Sequence, residues 1–339
     1  MRALLERFPR LVSTLPRVDL RVIETPIEDR VIDGVRLTIK RDDLSSPTLG
    51  GNKVRALELL LAGIGPDHTL LTVGSAGSTH ALAVAQYGSR LGAEREIITW
   101  PQEWSDVSRA TADLLKRRAK VTRAGSPVAA YLAAAYRRFR RNLSWIPAGA
   151  STPRGALGHV DAVLEMVEQF ARAGRTLPRE IVVPLGTGGT VAGLLVGLAV
   201  AGAETKVVGV RVVPKAVANK GRVLRLARRT RALLSRLADA ELPALDADRF
   251  EIDESAYGGA YGRETSAGVA ANTKFVDAGG PRLDATYSAK ACAVAIERGR
   301  AAGDGQVLFW LTFDGRWLDA TNEGPRILRT SHSRRRPDA

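Results

Sequence analysis

The chain has 339 residues, of which 45% are hydrophobic, 25% are charged and one is a cysteine, Cys292. That is enough for a large buried core divided between two domains, and it excludes bulk disorder and a disulfide framework within the chain. The net charge of +14 is local, with nine basic residues and no acid in each of 116–141 and 211–236, and five arginines in 326–339.

Residues 1–20 mix apolar residues with arginine and proline and lack the continuous apolar run of a signal peptide. Residues 35–40 read as a strand. Residues 52–64 read as a helix with Ala56, Leu59, Leu60 and Gly63 on one face. A strand over 69–73, a small-residue helix over 78–91, a strand over 96–100 and a helix over 108–119 follow. Helices are then predicted over 128–142 and 155–173, a strand over 180–184, a helix over 190–201 and a strand over 206–212. A basic helix runs to about 238, and the pattern closes with a helix over 288–302 and a strand over 306–312. This alternation predicts an α/β architecture with mostly parallel sheets. Residues 181–203 carry no charge, but Pro184 and six glycines mark them as strand, turn and helix; no membrane span is expected. Val223, Leu226, Thr230, Leu233 and Leu237 recur at helical spacing beside the arginines, which favours solvated helix faces over nucleic-acid binding. The four histidines have no metal-ligand spacing, so no metal site is expected. Cys292 sits in an alanine-rich helical pattern and reads as a structural thiol, and a cytoplasmic protein is expected.

Three glycine-rich turns precede helices, where free N–H groups and the helix dipole favour anions. The first is Gly50-Gly51-Asn52-Lys53. It lacks the spacing of a phosphate-binding Walker loop; Lys53 is either a surface residue in a first helical turn or a partly desolvated amine fit for nucleophilic chemistry. The second, Gly74 to His80, offers hydroxyls and amides to a carboxylate, or is an ordinary turn capped by Ser78 or Thr79. The third, Gly186-Thr187-Gly188-Gly189-Thr190, suits a phosphate monoester better than a dinucleotide, because the third glycine of the dinucleotide pattern would fall at Val191.

The stretch 39–59, I-K-R-D-D-L-S-S-P-T-L-G-G-N-K-V-R-A-L-E-L, resembles the signature of the 1-aminocyclopropane-1-carboxylate deaminase / D-cysteine desulfhydrase family. Companions follow in order: Thr25-Pro26 upstream, then G-S-A-G-S-T-H, G-T-G-G-T, Tyr261-Gly262, D-A-T-Y-S-A-K at 284–290 and V-L-F-W-L-T at 307–312. The resemblance implies two three-layer α/β/α domains of the tryptophan-synthase-β-like fold, with mostly parallel sheets. Residues 1–54 plus 150–339 would form a large domain and 55–149 a small one. It implies pyridoxal 5′-phosphate as cofactor, carried by Lys53 as a Schiff base, with Asn52 beside it and Gly186, Thr187, Gly188, Gly189 and Thr190 around the phosphate. Thr312 would face the pyridine nitrogen. Ser78, Thr79 and His80 would hold the substrate carboxylate, with Ser78 an acid/base, and Tyr261 and Tyr287 would lie near ring and substrate, Tyr287 as a catalytic group. A small amino acid would be the substrate, and a homodimer the assembly.

Departures shape the expected reaction. Ser288 stands where the cyclopropane deaminases carry glutamate and the desulfhydrases threonine, which favours β-elimination to a 2-oxo acid and ammonia over ring opening. Gly77-Ser78-Thr79 replaces Gln-Ser-Asn, and Phe313-Asp314 replaces Gly-Gly, with Trp310 just before. Two bulky aromatics, Trp310 and Phe313, are therefore expected near the ring. Racemisation, β-replacement and a non-catalytic cofactor- or polyanion-binding descendant stay open on these residues.

Overall fold

The structure, a computed structural model, describes residues 1–318; the arginines of 326–339 lie outside the described residues. In chain order the elements are α1 (Arg2–Arg7), α2 (Leu11–Thr14), β1 (Ile27–Ile32), β2 (Val35–Lys40), α3 (Asn52–Leu60), β3 (Thr69–Ser75), α4 (Thr79–Arg90), β4 (Glu94–Trp100), α5 (Asp106–Arg118), β5 (Lys120–Arg123), α6 (Pro127–Arg137), β6 (Leu143–Ile146), α7 (Pro153–Arg172), β7 (Glu180–Leu185), α8 (Gly189–Ala201), β8 (Lys206–Arg211), α9 (Lys220–Ala238), β9 (Phe250–Asp253), α10 (Ser266–Asp277), α11 (Ser288–Ala302) and β10 (Val307–Trp310).

Two sheets form among the described residues. One has the order β1-β2-β10-β7-β8-β9 and the other β5-β4-β3-β6. All pairings are parallel except the β1–β2 hairpin, whose two-residue Asp33-Gly34 turn takes positive φ at both positions. The α/β class expected from the alternation is borne out.

Parallel sheets need helices on both faces. On one face of the six-stranded sheet lie α7, α8 and α9, with Leu157, Val160, Val191, Leu194 and Trp310 in the shared core. On the other, α10 and α11 bury Phe275, Cys292 and Ile296 against Ile39, Val182 and Phe309. Trp310 thus belongs to the core, contrary to the expectation that it stands near the ring; it is fully buried and does not line the cleft described below. Helix α8 is apolar all round and almost wholly buried, which accounts for the uncharged stretch 181–203. Among the described residues no helix is long and apolar enough to cross a membrane. Helix α9 buries Val223, Leu224, Ala227, Thr230 and Leu234 and turns Arg222, Arg225, Arg228 and Arg229 to solvent, as its spacing predicts.

Helix α3 joins the two sheet units. It lies so close to α7 that a Cβ on Gly158 would stand 2.2 Å from the carbonyl oxygen of Arg55. Only glycine admits that approach. The carboxyl ends of β3, β4, β7 and β10, at Ser75, Trp100, Leu185 and Trp310, all lead into loops that line one cleft between the sheets. Open α/β sheets place ligands at such ends.

Candidate active site

The cleft holds a cavity of about 390 Å³. It brings together Asn52, Lys53, Ser78, Thr79, His80, Gly186 to Thr190, Tyr261, Tyr287 and Thr312. Residues from the first turn of α3, the start of α4, the start of α8 and the exit of β10 therefore share one space, although up to 260 positions separate them.

Lys53 sits in the first turn of α3. Gly51, with φ +91°, caps that helix, and a Cβ there would lie 2.6 Å from the carbonyl oxygen of Thr312. The backbone N–H of Asn52 donates to that same oxygen at 3.2 Å. Lys53 is enclosed by the cleft, part of its surface facing the cavity, and its amine has no hydrogen-bond or ion-pair partner among the described residues. Burial alone pushes its pKa down to about 8.

The turn is clamped from the far side by a residue outside the predicted set. Asp314 accepts the Gly50 N–H at 2.8 Å, and both its oxygens are held at 2.8 Å by the Arg316 guanidinium, which also donates to the Ser46 carbonyl. Asp314→Ala leaves the Gly50 N–H without an acceptor, and a loss of about 1–3 kcal/mol in stability is expected, read as a lower melting temperature of the apo protein.

At the α8 start, β7 ends and the chain turns through Gly188, at φ +91°. The backbone N–H groups of Thr187, Gly188 and Thr190 carry no hydrogen bond within the described chain, whereas that of Gly189 donates to Ser151 Oγ at 3.1 Å. Ser151 Oγ also meets Thr187 Oγ1 at 2.6 Å. Asn52 Nδ2 donates to Thr190 Oγ1 at 2.7 Å, which ties the lysine turn directly to this anion-ready helix start.

On the opposite wall Ser78 caps α4, its Oγ accepting the Ala81 N–H at 3.2 Å, so its own proton stays available to donate. His80 is buried, with Nε2 3.0 Å from Thr72 Oγ1 and Nδ1 unpartnered. Burial, then the charge of Lys53, pushes its pKa down to about 3, and His159 behind Thr190 is held at about 3 by burial, Lys53 and Arg55. Both imidazoles are neutral at pH 7. A hydroxyl chain runs from Ser75 Oγ to the Tyr261 hydroxyl at 3.3 Å and on to that of Tyr287 at 2.8 Å. Burial raises both phenols, that of Tyr287 well above the ordinary value. The sequence alone does not single out Asp284, Ser151, His159 or Asp314, and takes in Ser75 only within the run Gly74 to His80. Asp284 lay within the quoted D-A-T-Y-S-A-K run, and the departure at Phe313-Asp314 was the one signal for Asp314. Phe313 does line the cavity, as expected of it.

The sequence profile of a family described as pyridoxal-phosphate dependent enzyme matches residues 18–312. The chain belongs to that family. Among its relatives, a D-cysteine desulfhydrase of Serratia proteamaculans is 32% identical over 320 residues, 88% of this chain and 93% of that protein. One of Salmonella choleraesuis matches at 32% over 88% and 94%. A crystal structure described as an ACC deaminase homologue superposes with a TM-score of 0.73 at 25% identity, over 94% of this chain and 98% of that one. The processed form of threonine deaminase isoform 2 from Solanum lycopersicum shares the fold, with a TM-score of 0.59 at 20% identity, over 94% of this chain and 88% of that one. The resemblance read from the motifs is borne out.

Members of the pyridoxal-phosphate dependent family use that cofactor, and the residues here fit it. Its aldehyde needs a free amine, and Lys53 is a partnerless one with a lowered pKa. Its phosphoester needs converging N–H donors, which the α8 start offers. Its ring nitrogen needs a polar neighbour, and the Thr312 hydroxyl, which makes no hydrogen bond among the described residues, stands in the same cavity.

Proposed function

We propose that this chain is a pyridoxal-phosphate-dependent lyase that removes a β-substituent from a small amino acid and releases a 2-oxo acid and ammonia. The observation that carries the reading is the partnerless Lys53 amine in one cavity with the unpaired amides at the start of α8. When bound, pyridoxal phosphate supplies the electron sink that makes a substrate Cα proton removable. In this reading Lys53 Nζ takes that proton, and burial keeps it neutral often enough to do so. The Thr187, Gly188 and Thr190 amides, in the turn that Gly186 and Gly189 complete, would hold the phosphoester, with Asn52 fixing Thr190. Ser78 and Thr79 orient the substrate carboxylate; His80 assists as a neutral imidazole, not a cation. Tyr261 and Tyr287 deliver a proton to the departing group through their shared hydrogen bond. Thr312 would face the ring nitrogen as a neutral hydroxyl and not as a carboxylate, which suits elimination.

In the same reading residues 1–54 with 150–339 act as the large domain and 55–149 as the small one, and the enzyme works in the cytoplasm as a homodimer. The reaction is tested by loading the purified protein with pyridoxal phosphate and offering D- and L-amino acids. The expected result is equal release of 2-oxo acid and ammonia from one or more of them. Interconversion of enantiomers without 2-oxo acid would replace the lyase by a racemase.

A further inference from the structure

The cavity lining extends beyond its chemistry-bearing residues, and the rest of it carries no cation. Apart from Lys53, its one ionisable group that carries charge readily is Asp284. That carboxylate is buried, accepts the backbone N–H groups of Tyr287 and Ser288 at 2.8 and 2.9 Å, and has its pKa raised by burial. No cation in the wall beyond Lys53 can therefore balance a second carboxylate or a phosphate on a substrate side chain.

What the wall offers instead is apolar surface next to the 74–80 loop. The Ala76 N–H donates to the Trp100 carbonyl at 2.9 Å and the Gly77 N–H to Gln102 Oε1 at 3.1 Å. Trp100 and Pro101 thus begin where the carboxylate-holding loop ends. The Trp100 ring stacks on Tyr131 of α6, with centroids 6.2 Å apart, and Val213, Pro214 and Val217 line the same cavity. A separate cavity that does carry cations, Arg109, Lys116 and Arg123, lies beyond Trp100 and Pro101, which wall both.

We infer that the substrate is an amino acid whose β-substituent is uncharged and apolar, an S-alkyl or S-aryl cysteine in place of cysteine itself. This rests on the lyase reading and names its leaving group. The Cα–H and Cβ–S bonds break, the thiol leaves with a proton, and water displaces nitrogen. One thiol, one pyruvate and one ammonium form per substrate and water consumed, with no net oxidation.

The test uses the loaded enzyme with both enantiomers of cysteine, S-benzylcysteine and O-phosphoserine, following thiol or phosphate, pyruvate and ammonia. Alanine and 2-amino-4-phenylbutanoate, which have no leaving group, report binding alone through the change in cofactor absorption. S-benzylcysteine is expected to exceed cysteine in kcat/KM by about tenfold or more, and 2-amino-4-phenylbutanoate to bind tighter than alanine by a similar factor. Trp100→Ala and Tyr131→Ala should each narrow both ratios. Equal or better use of cysteine, tighter binding of alanine, or turnover of O-phosphoserine at a matching rate overturns the inference and leaves the lyase reading standing. A cofactor band that no amino acid perturbs overturns both.

Discussion

Lys53→Ala is expected to remove the visible absorption band of the loaded enzyme and to cut amino-acid turnover by about a thousandfold, within the range that a positioned proton-transfer group contributes. The band and the turnover should fall together, because in the proposed reading one amine both holds the cofactor and moves the Cα proton. Lys53→Arg should not restore either: a guanidinium keeps its proton under all working conditions and forms no covalent link to the aldehyde. The amine also sets a pH dependence. Its pKa is pushed down to about 8 from an ordinary 10.5, so only above about pH 8 is it mostly neutral. Attachment of pyridoxal phosphate to the apo protein, followed by absorbance, should therefore accelerate as pH rises through 8. The same shift gives a stability signature with a definite sign. Between about 8 and 10.5 the unfolded chain holds a proton on Lys53 that the folded chain has lost, so the cost of Lys53 to folding is relieved as pH rises through that window. Below it, a buried cation without a partner weighs against the fold. Lys53→Met apo protein should accordingly melt higher than wild type at pH 7, with the gap closing toward pH 10.5. A structural surface lysine would show none of these effects.

The site was legible where chemistry and local conformation coincide in a short run. Gly50 and Gly51 announce a turn no side chain fits, and the next two residues are the ones the turn presents to the cleft. The helices read well for the same reason: α11 and β2 have the expected bounds, and α7, α8 and α9 follow their apolar period. Four strands carry no clear mark in the sequence. Three of these, β5, β6 and β9, are four residues long and only partly buried, so neither alternation nor an apolar run marks them. β1, with its I-E-D-R-V-I sequence, owes its place to the hairpin with β2. Helix α10 is faint in the sequence because only Gly268, Ala271 and Phe275 of it are buried, a narrow apolar stripe. Trp310 was misplaced because proximity along the chain to Thr312 says nothing about which face of the sheet a side chain takes; one residue of a strand reverses it. Asp314 looked like damage to a family pattern, yet its carboxylate is tied to the Gly50 N–H from 264 positions away. Such a contact depends on the folded path of two loops and leaves no trace in either segment alone.

The largest effect on stability is expected two residues beyond Lys53. Arg55 is 1% exposed and stands among carboxylates: Nε meets Asp42 Oδ1 at 2.6 Å, and the two terminal nitrogens meet Glu165 at 3.1 and 3.2 Å. Asp161 lies 3.8 Å away, and Thr25 Oγ1 takes a further N–H at 3.2 Å. Lys40, also fully buried, is a second cation, at 2.6 Å from Glu165. Arg55→Ala leaves Asp42 and Glu165 inside the protein with Lys40 as their remaining close counter-charge, and a loss of about 3–5 kcal/mol in unfolding free energy is expected, measured by denaturant titration. Arg55→Met should do little better, although it refills much of the volume, because the stranded charges and not the cavity dominate the cost. Glu165 provides the discriminating readout. Burial would raise its pKa, but Arg55 and Lys40 outweigh burial and hold it at about 2, below the ordinary 4.5. Its contribution is therefore complete above about pH 4.5 and disappears as pH falls toward 2. The difference in stability between wild type and Arg55→Ala should follow that curve, wide at pH 7 and narrowing in acid as the orphaned carboxylate takes up its proton. A gap that stays constant across this range would assign the loss to packing between α3 and α7. A gap that narrows assigns it to charge, and makes the ionic cluster behind α3 the anchor of the helix that presents Lys53 to the cleft.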